Sequence, residues 1–215
     1  MSKFERLIPL FGTTGLAKLN KACVAIIGLG GVGGMCALAL ARSGIGKLII
    51  CDFDKVEESN INRQQVANTK TIGLFKTDCL EQMIKDINPD CEIIKFTKKV
   101  DSELFSQKID FLIDAIDDLP SKVNLIRECL NRKIDFISSM GAAKKVDPTK
   151  VEITKLSKTT YDPVAKVLRK QLKGYDFPCV SSTEVAIGDG LGSYMMVVNT
   201  FSLLLSDYCV KHILN

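Results

Sequence analysis

The chain has 215 residues, of which 46% are hydrophobic and 25% are charged. This length fits one ordinary domain, or one domain with an appendage, and the composition excludes an intrinsically disordered chain. Eight cysteines are spread along the chain, no two of them closer than twelve positions, and most lie in apolar runs. This spacing excludes a disulfide scaffold and a CxxC metal site, and it predicts a reducing, cytoplasmic setting. We expect neither a signal peptide nor a membrane span, which needs roughly 18 apolar residues.

The net charge is +4, but the positive charge is concentrated in one segment. Residues 140–174 hold nine lysines and arginines against three acids, whereas residues 175–215 hold one lysine against four acids. A basic segment of this kind is typical either of a solvated helix face or of a surface that binds a polyanion.

Apolar β-branched runs alternate with helical patterns, which predicts an α/β fold with a doubly wound, Rossmann-like, mostly parallel sheet and a C-terminal extension. We divide the single domain into an N-terminal arm (1–20), a nucleotide-binding core (21–140) and an extension for substrate and dimer contacts (141–215). The predicted strands are Cys23–Gly28, Lys47–Phe53, Glu92–Phe96, Phe111–Ile116, Asp135–Ser138 and Val151–Leu156. The predicted helices are Val32–Ser43, Thr71–Ile87, Ser102–Gln107, Ser121–Arg132, Asp162–Lys173 and Tyr194–Ile213.

A glycine-rich segment, Gly28-Leu-Gly-Gly-Val-Gly-Gly34, lies directly between the first predicted strand and the first predicted helix. Glycines at such a position let the backbone approach phosphates that bind at the helix N-terminus. The pattern alone is weak because it also occurs by chance. Asp52 at the end of the next strand strengthens it, since this carboxylate can accept hydrogen bonds from both ribose hydroxyls. We therefore predict a nucleotide site rather than a structural turn.

Two nucleotide chemistries compete, namely hydride transfer from a dinucleotide and adenylyl transfer from ATP. Asn60, Asn62 and Arg63 lie one loop beyond the ribose aspartate, where a triphosphate needs donors. Lys76 adds a cation at the N-terminal turn of the following helix. The segment Asp114-Ala-Ile-Asp-Asp118 ends the fourth strand, at the carboxyl edge of the sheet, where an acid can hold magnesium. A dehydrogenase needs none of these groups, so the pattern favours adenylyl transfer.

These residues resemble the ubiquitin-activating superfamily in its bacterial form, which includes the activators of the molybdopterin and thiazole sulfur carriers. Arg6 is similar to the arginine that reaches into the ATP site of the partner subunit, so the resemblance implies a homodimer. The ATP-site positions that the resemblance implies are Gly28, Gly30, Gly31, Gly33, Asp52, Asp54, Asn60, Asn62, Arg63, Gln64 and Lys76.

The resemblance also implies a role for individual residues. Asp52 would bind the ribose, while Asn60, Arg63 and Lys76 would contact phosphates. Asp117 would bind magnesium. The residues with an implied catalytic role are Arg6, Arg63, Lys76 and Asp117.

The second half of the chain narrows the resemblance to the tRNA threonylcarbamoyladenosine dehydratase branch. Similar stretches are Met140-Gly-Ala142, Val146-Asp-Pro-Thr149, Lys158 to Arg169 and Cys179 to Glu184, so that the resemblance covers about residues 4–184. In that branch, ATP adenylates the threonyl carboxylate, which is then attacked from within the same nucleoside, closing a ring and releasing AMP. The resemblance implies a modified tRNA as substrate, a sodium or potassium site, and a sulfur-relay or electron-transfer partner.

The predicted helix Asp162–Lys173 carries much of the basic charge. Lys166, Arg169, Lys170 and Lys173 lie mostly opposite its apolar stripe. That pattern by itself is typical of a solvated helix face. Together with the resemblance, it leads us to predict that these four side chains contact the tRNA backbone.

Three other functions are considered. The nearest is an adenylyltransferase that activates a ubiquitin-like sulfur carrier, in which Cys179 would be a nucleophile. No histidine or basic cluster adjoins Cys179 in the sequence, so a structural thiol is favoured. The others are a nicotinamide-dependent dehydrogenase and a catalytically silent nucleotide-binding module. His212 is the only histidine, which leaves no histidine-based acid–base pair.

The chain departs from the dehydratase branch in three places. Residues 185–192 form a shorter segment than is usual in that branch, which would reduce a substrate lid there. Gly34 stands where a serine is common, and Pro9 breaks the usual N-terminal helix pattern. These departures bear on the lid and on the N-terminal path rather than on the ATP site.

Overall fold

The computed structural model describes residues 3–190 and 192–215, and its central element is a sheet of seven strands. The strands are β1 (Cys23–Ile27), β2 (Lys47–Cys51), β3 (Glu92–Phe96), β4 (Phe111–Asp114), β5 (Phe136–Ser139), β6 (Val151–Lys155) and β7 (Pro178–Ser182). They lie in the order β3-β2-β1-β4-β5-β7-β6, and all neighbours pair in parallel except β6 and β7. The predicted doubly wound, mostly parallel α/β fold is confirmed.

Helices cover both faces of this sheet. They are α1 (Ile8–Lys21), α2 (Gly31–Arg42), α3 (Lys76–Ile87), α4 (Leu119–Arg132), α5 (Pro163–Gln171) and α6 (Met195–Leu214). Strand β1 is buried along its whole length, and its alternate residues enter two separate apolar clusters. Ile26 joins the cluster that includes residues of α2, α3 and α6, while Ile27 joins the one that includes residues of α4 and α5. The period-two alternation of a strand buried on both faces therefore builds both halves of the core.

The N-terminal segment is helical where the sequence led us to expect an arm. Helix α1 tolerates Pro9 because a proline in the first turn needs no backbone N–H donor. Gly12 has φ of 70° and ψ of 170°, which breaks this helix into two pieces. The second piece packs on α6, where Lys18 Nζ donates to the carbonyl oxygen of Leu214 at 2.5 Å. Pro9 therefore departs from the usual N-terminal helix pattern without preventing the helix from forming.

Further elements differ from expectation, among them the predicted helix Ser102–Gln107, which is only a three-residue 3₁₀ helix, Leu104–Ser106. Helix α3 begins at Lys76 rather than Thr71, because residues 71–75 form a turn in which Gly73 has φ of 86°. Strand β7 was not predicted, since Pro178-Cys-Val-Ser-Ser182 has few apolar residues. It is a strand because it lies between β5 and β6, where its backbone completes the hydrogen bonding of both.

Helix α5 has the start that the sequence predicts. Asp162 caps it by accepting a hydrogen bond from the N–H of Ala165 at 3.0 Å, and Pro163 is its first residue. The eight cysteines all lie within the described residues and are buried free thiols. No helix in the described part of the chain is long and apolar enough to span a membrane.

Candidate nucleotide-binding site

The glycine loop, residues 28–34, joins β1 to α2. Its backbone packs closely on itself and on the backbone that follows β4. Gly28 has φ of 86°, and a Cβ added there would lie 2.7 Å from the carbonyl oxygen of Ala115. A Cβ on Gly33 would lie 1.8 Å from the carbonyl oxygen of Gly28. Both positions therefore require glycine so that strand, loop and helix can pack.

The other two glycines of the predicted site have different surroundings. A Cβ added to Gly30 would have only Gln64 Nε2 nearby, at 3.8 Å, so its backbone stays accessible. A Cβ added to Gly31 would lie 2.7 Å from Val198 Cγ1 and 3.0 Å from the carbonyl oxygen of Arg63. Among the described residues no side chain caps the N-terminus of α2. The first N–H groups of α2 are thus available to an anion such as a phosphate.

Asp52 follows β2 and is 8% exposed. Its Oδ2 accepts a hydrogen bond from the N–H of Leu29 at 2.6 Å, and its Oδ1 accepts one from the N–H of Asp54 at 2.8 Å. Burial raises the pKa of Asp52 above the usual aspartate value, against the opposing effects of these two N–H groups and of Lys76. The carboxylate is therefore tied directly to the glycine loop and keeps lone pairs for ribose hydroxyls.

The loop after Asp52 carries the polar side chains predicted to face phosphates. Asn60 is buried, and its Oδ1 accepts a hydrogen bond from the N–H of Glu57 at 3.2 Å. Arg63 donates from its Nη1 to the carbonyl oxygen of Ser59 at 2.7 Å and to Asn62 Oδ1 at 2.8 Å. These bonds hold the guanidinium within its own loop.

Two amides of this loop connect it to neighbouring elements. Asn62 donates from Nδ2 to the carbonyl oxygen of Ser193 at 3.0 Å, just before α6. Gln64 is 7% exposed, with its Nε2 directed at the glycine loop, and its buried Oε1 has no hydrogen-bond partner within the described chain. A buried amide oxygen without a partner is costly, and a bound hydroxyl or N–H donor would satisfy it.

Lys76 is the first residue of α3 and so lies in its N-terminal turn, where the sequence predicts a cation. Its side chain is 7% exposed, and its Nζ lies 2.7 Å from Asp54 Oδ2. Asp54, which the resemblance places among the ATP-site positions, therefore pairs with this lysine. The buried ammonium of Lys76 is also close enough to Asp52 to oppose in part the rise that burial causes in the pKa of that carboxyl.

Two aspartates at the end of β4 have different environments. Asp114 is fully buried and bonds to Lys122 Nζ at 2.7 Å and Ser138 Oγ at 2.6 Å. Asp117 is exposed, and no partner pairs with its side chain in the described residues. It lies two residues beyond Ala115, whose backbone approaches Gly28. Magnesium is commonly held by one or two carboxylates together with nucleotide phosphates, which fits Asp117.

Sequence reasoning missed Lys122 and Ser138, which complete the surroundings of Asp114. Lys122 lies on α4 four and seven positions before Ile126 and Cys129, so it shares their buried face. A lysine on the apolar stripe of a predicted helix was the signal that could have identified it.

Arg6 lies in a short 3₁₀ helix, Glu5–Leu7, and is exposed. Its neighbour Phe4 lies near Gly44, since a Cβ on that glycine would be 3.5 Å from the phenyl ring. Gly44 follows the C-terminal end of α2, whereas the glycine loop precedes the N-terminal end. Twelve helical residues at 1.5 Å each separate the two ends by about 18 Å. The structure therefore does not bring Arg6 to the glycine loop of its own chain.

The four basic residues of the 162–173 segment separate into two kinds. Lys166, Lys170 and Lys173 are exposed. Arg169 instead points inward, donating from Nη1 to the carbonyl oxygens of Leu156 and Thr159 at 3.2 Å each and to Thr159 Oγ1. Its guanidinium thus holds the chain before α5 and presents less charge to solvent than the sequence pattern suggests.

Two other predicted features lie away from the glycine loop. Cys179 is fully buried in β7, and burial raises the pKa of its thiol to about 12, which does not favour a thiolate nucleophile. His212 lies 3.2 Å from Asp135 Oδ2, beside a cavity of about 280 Å³ at the amino ends of β4 and β5. Ligands of doubly wound sheets bind at the carboxyl ends of the strands, so this cavity is not the nucleotide site.

The described residues contain no cluster of three or more histidine, cysteine, aspartate or glutamate side chains that could hold a metal ion.

The doubly wound sheet, with a glycine loop between β1 and α2 and Asp52 after β2, is the arrangement typical of a nucleotide-binding domain. The chain matches the ThiF family over residues 4–212 and belongs to that family. It is 44% identical over 177 residues, 80% of this chain and 70% of the relative, to the tRNA threonylcarbamoyladenosine dehydratase of Bacillus subtilis.

A solved structure extends this similarity to nearly the whole chain. The Escherichia coli tRNA N6-threonylcarbamoyladenosine dehydratase TcdA in complex with ATP superimposes with a TM-score of 0.95 at 33% identity, covering 98% of this chain and 93% of that chain. A relative named for adenylyl and sulfur transfer matches a smaller part of the chain. The Drosophila yakuba adenylyltransferase and sulfurtransferase MOCS3 is 33% identical over 66% of this chain and 32% of its own length.

Proposed function

We propose that this chain is an ATP-dependent tRNA threonylcarbamoyladenosine dehydratase. The observation that carries the proposal is the near-complete superposition on the E. coli dehydratase that binds ATP, with the glycine loop, Asp52 and Lys76 all present at one sheet edge. The name of that relative supplies the substrate class, and its ATP complex supports the cofactor.

The reaction has two steps. The threonyl carboxylate of the modified nucleoside attacks the α-phosphorus of ATP, so that the bond to the β-phosphate oxygen breaks and pyrophosphate leaves. An attack from within the same nucleoside then closes a ring and expels AMP. Proximity can supply roughly 7–11 kcal/mol to such an intramolecular step, which reduces its need for a histidine base.

The residues of the site divide the recognition of ATP between them. Asp52 accepts the ribose hydroxyls, and the N–H groups at the start of α2 face the phosphates. Lys76 exchanges its contact with Asp54 for a phosphate oxygen, because a triphosphate carries more negative charge than one carboxylate. Asp117 would hold magnesium, which when bound would neutralise charge on the phosphates.

The loop after Asp52 completes the phosphate contacts. Asn60, Asn62 and Arg63 lie on it, and Gln64 directs its amide at the glycine loop. The unpartnered Oε1 of Gln64 supports a bound donor at this point.

Arg6 acts on the partner's site in a homodimer. Its own glycine loop lies at the opposite end of α2, a helix about 18 Å long, from the end near Phe4, which supports a role across a subunit interface. A positive side chain beside the phosphates would stabilise charge that builds in the transition state.

The tRNA backbone binds at the basic surface of α5. Lys166, Lys170 and Lys173 carry this contact, because they are exposed while Arg169 is engaged with backbone carbonyls. Lysines bind phosphates as point charges without a demand for bidentate geometry, which suits a sequence-independent contact.

Several finer expectations belong to the proposed function. The reaction is placed in the cytoplasm, in accord with eight reduced, buried cysteines. A sodium or potassium ion and a sulfur-relay or electron-transfer partner stay predictions from the family resemblance, as do the tRNA species and the effect of the short segment 185–192.

The test is to incubate the protein with ATP and tRNA that carries threonylcarbamoyladenosine. We expect AMP and pyrophosphate to form, and mass spectrometry of the digested tRNA to find the cyclised nucleoside. The same tRNA without the modification is the control and yields neither. Adenylation of the C-terminus of a ubiquitin-like carrier, with no cyclised nucleoside from modified tRNA, would support the sulfur-carrier alternative instead.

A further inference from the structure

A buried charged network lies directly beneath the loop that carries Asp117. Lys122 Nζ lies 2.7 Å from Asp114 Oδ2 and 3.3 Å from Ser138 Oγ, and that hydroxyl donates to Asp114 Oδ2 at 2.6 Å. The side chains of Lys122 and Asp114 are 2% and 0% exposed. The three groups come from three different elements, α4, β4 and β5.

A contribution to the stability of the fold does not by itself explain why this ion pair is buried. Removing an ammonium and a carboxylate from water costs several kcal/mol each, and replacing a buried ion pair by apolar groups is often neutral or stabilising. A pair that holds a particular geometry is better explained by what the geometry positions.

The second oxygen of Asp114 provides the link to the site. Asp114 Oδ1 accepts a hydrogen bond from the N–H of Ile116 at 3.1 Å, which fixes the start of the 115–118 turn. The end of the turn is fixed at Asp118, which caps α4 through the N–H of Ser121 at 2.9 Å. Asp117 lies between these two fixed points.

Lys122 contacts both ends of this turn. Its Nζ holds Asp114, and its backbone N–H donates to the carbonyl oxygen of Asp118 at 2.9 Å. We propose that Lys122 is a positioning residue that holds Asp114 as the acceptor for Ile116, and thereby aims Asp117 at the divalent cation of bound ATP. This inference depends on the proposed ATP site.

Without the ammonium, the Asp114 carboxylate would be an uncompensated buried charge. It would be relieved by rotating away or by taking up a proton, and either change alters the acceptor for Ile116. The turn would then lose its fixed start, and the Asp117 carboxylate would sample several directions.

The experiment measures ATP affinity by calorimetry at a series of magnesium concentrations and with magnesium chelated. The variants are Lys122→Met, Asp117→Asn and their combination, and Lys108→Met is the control because that lysine is 86% exposed. We expect Lys122→Met to keep its affinity for ATP in chelator. Magnesium should increase ATP affinity, and the magnesium concentration that gives half of this increase should be about tenfold higher in the variant. A tenfold change lies within the free energy that one charged hydrogen bond contributes.

The combined variant distinguishes a positioning role of Lys122 from a general loss of protein stability. If Lys122 acts through Asp117, Lys122→Met should add nothing to the magnesium response of Asp117→Asn. A magnesium response of Lys122→Met equal to that of the wild type, full additivity, or a wild-type affinity independent of magnesium would each overturn the proposal.

A matched pair tests the same idea if Lys122→Met does not fold. Asp114→Asn with Lys122→Met removes both charges and keeps an acceptor for Ile116, whereas Asp114→Ala with Lys122→Met removes the acceptor too. We expect the wild-type magnesium response from the first and the tenfold rise from the second, and equal responses would overturn the proposal. None of these measurements uses tRNA, so the dehydratase assignment is tested separately by its own assay.

Discussion

Replacing Asp52 by alanine separates the two tasks of this carboxylate. In the structure it accepts hydrogen bonds from the N–H groups of Leu29 and Asp54, at 2.6 and 2.8 Å. In the proposed complex it also accepts the ribose hydroxyls. The first task concerns the stability of the protein, and the second concerns the affinity for ATP.

The expected magnitudes follow from these contacts. Each buried N–H that loses its acceptor costs about 1–3 kcal/mol in the free energy of unfolding, which corresponds to several degrees in melting temperature for a chain of this length. Hydrogen bonds to a charged acceptor contribute about 1.5–3 kcal/mol, so ATP affinity should fall roughly ten- to a hundredfold.

The assay compares ATP with 2′,3′-dideoxy-ATP by calorimetry on folded wild-type protein and on the Asp52→Ala variant. The wild type should bind ATP more tightly than the dideoxy analogue, and the variant should bind both equally because it has no carboxylate to meet the hydroxyls. If the variant loses the same factor of affinity for both nucleotides, Asp52 only supports the glycine loop and the ribose contact is refuted.

The pH dependence of the same site follows from the raised pKa of Asp52. Only the charged form accepts both hydroxyls, so ATP affinity should decline on acidification at a higher pH than an ordinary aspartate would cause. Asp52→Asn, which does not titrate, should lack this part of the profile. Because the folded state binds this proton more tightly than the unfolded state, the contribution of Asp52 to the free energy of unfolding should rise as the pH falls.

Three further predictions test the dimer, the tRNA surface and the cysteine. Mixing Arg6→Ala with Asp117→Ala protein should restore activity in up to half the sites of the mixed dimers, since one site in each receives both intact residues; no recovery after proven subunit exchange would refute a role across the interface. Lys166→Gln with Lys170→Gln should reduce the slope of tRNA affinity against salt by about two, measured by filter binding, with ATP affinity unchanged; an unchanged slope would indicate a solvated helix face. Cys179→Ala should retain most dehydratase activity and show no covalent intermediate by mass spectrometry, whereas complete loss would favour carrier activation.

Local patterns in the sequence were sufficient for much of the site. Gly33 approaches the carbonyl oxygen of Gly28 within one strand–loop–helix unit, and Gly28 has φ of 86°, so a short motif predicts both glycines, although the contact of Gly28 with Ala115 is between distant segments. Asp52 and Lys76 were predictable in the same way, because one follows an apolar strand and the other lies near the start of a helical pattern, although the sequence placed that start at Thr71. The alternation of apolar β-branched runs with helical patterns likewise predicted the doubly wound sheet.

Contacts between distant segments decided the rest. Arg169 has the sequence environment of a surface residue, yet its guanidinium meets carbonyl groups ten to thirteen positions earlier. Strand β7 is short of apolar residues and depends on the unpaired edges of β5 and β6. The arm became a helix because its second half packs against the end of α6.

The end of β4 shows most clearly what the sequence determines and what the tertiary structure determines. The sequence by itself determined that Asp114 and Asp117 stand at the carboxyl edge of the sheet, because a strand end and two acids are local features. Only the tertiary structure decided that Asp114 is buried against Lys122 and Ser138 while Asp117 remains exposed. Burial depends on which helix and strand cover a position, and that depends on contacts between elements remote in sequence.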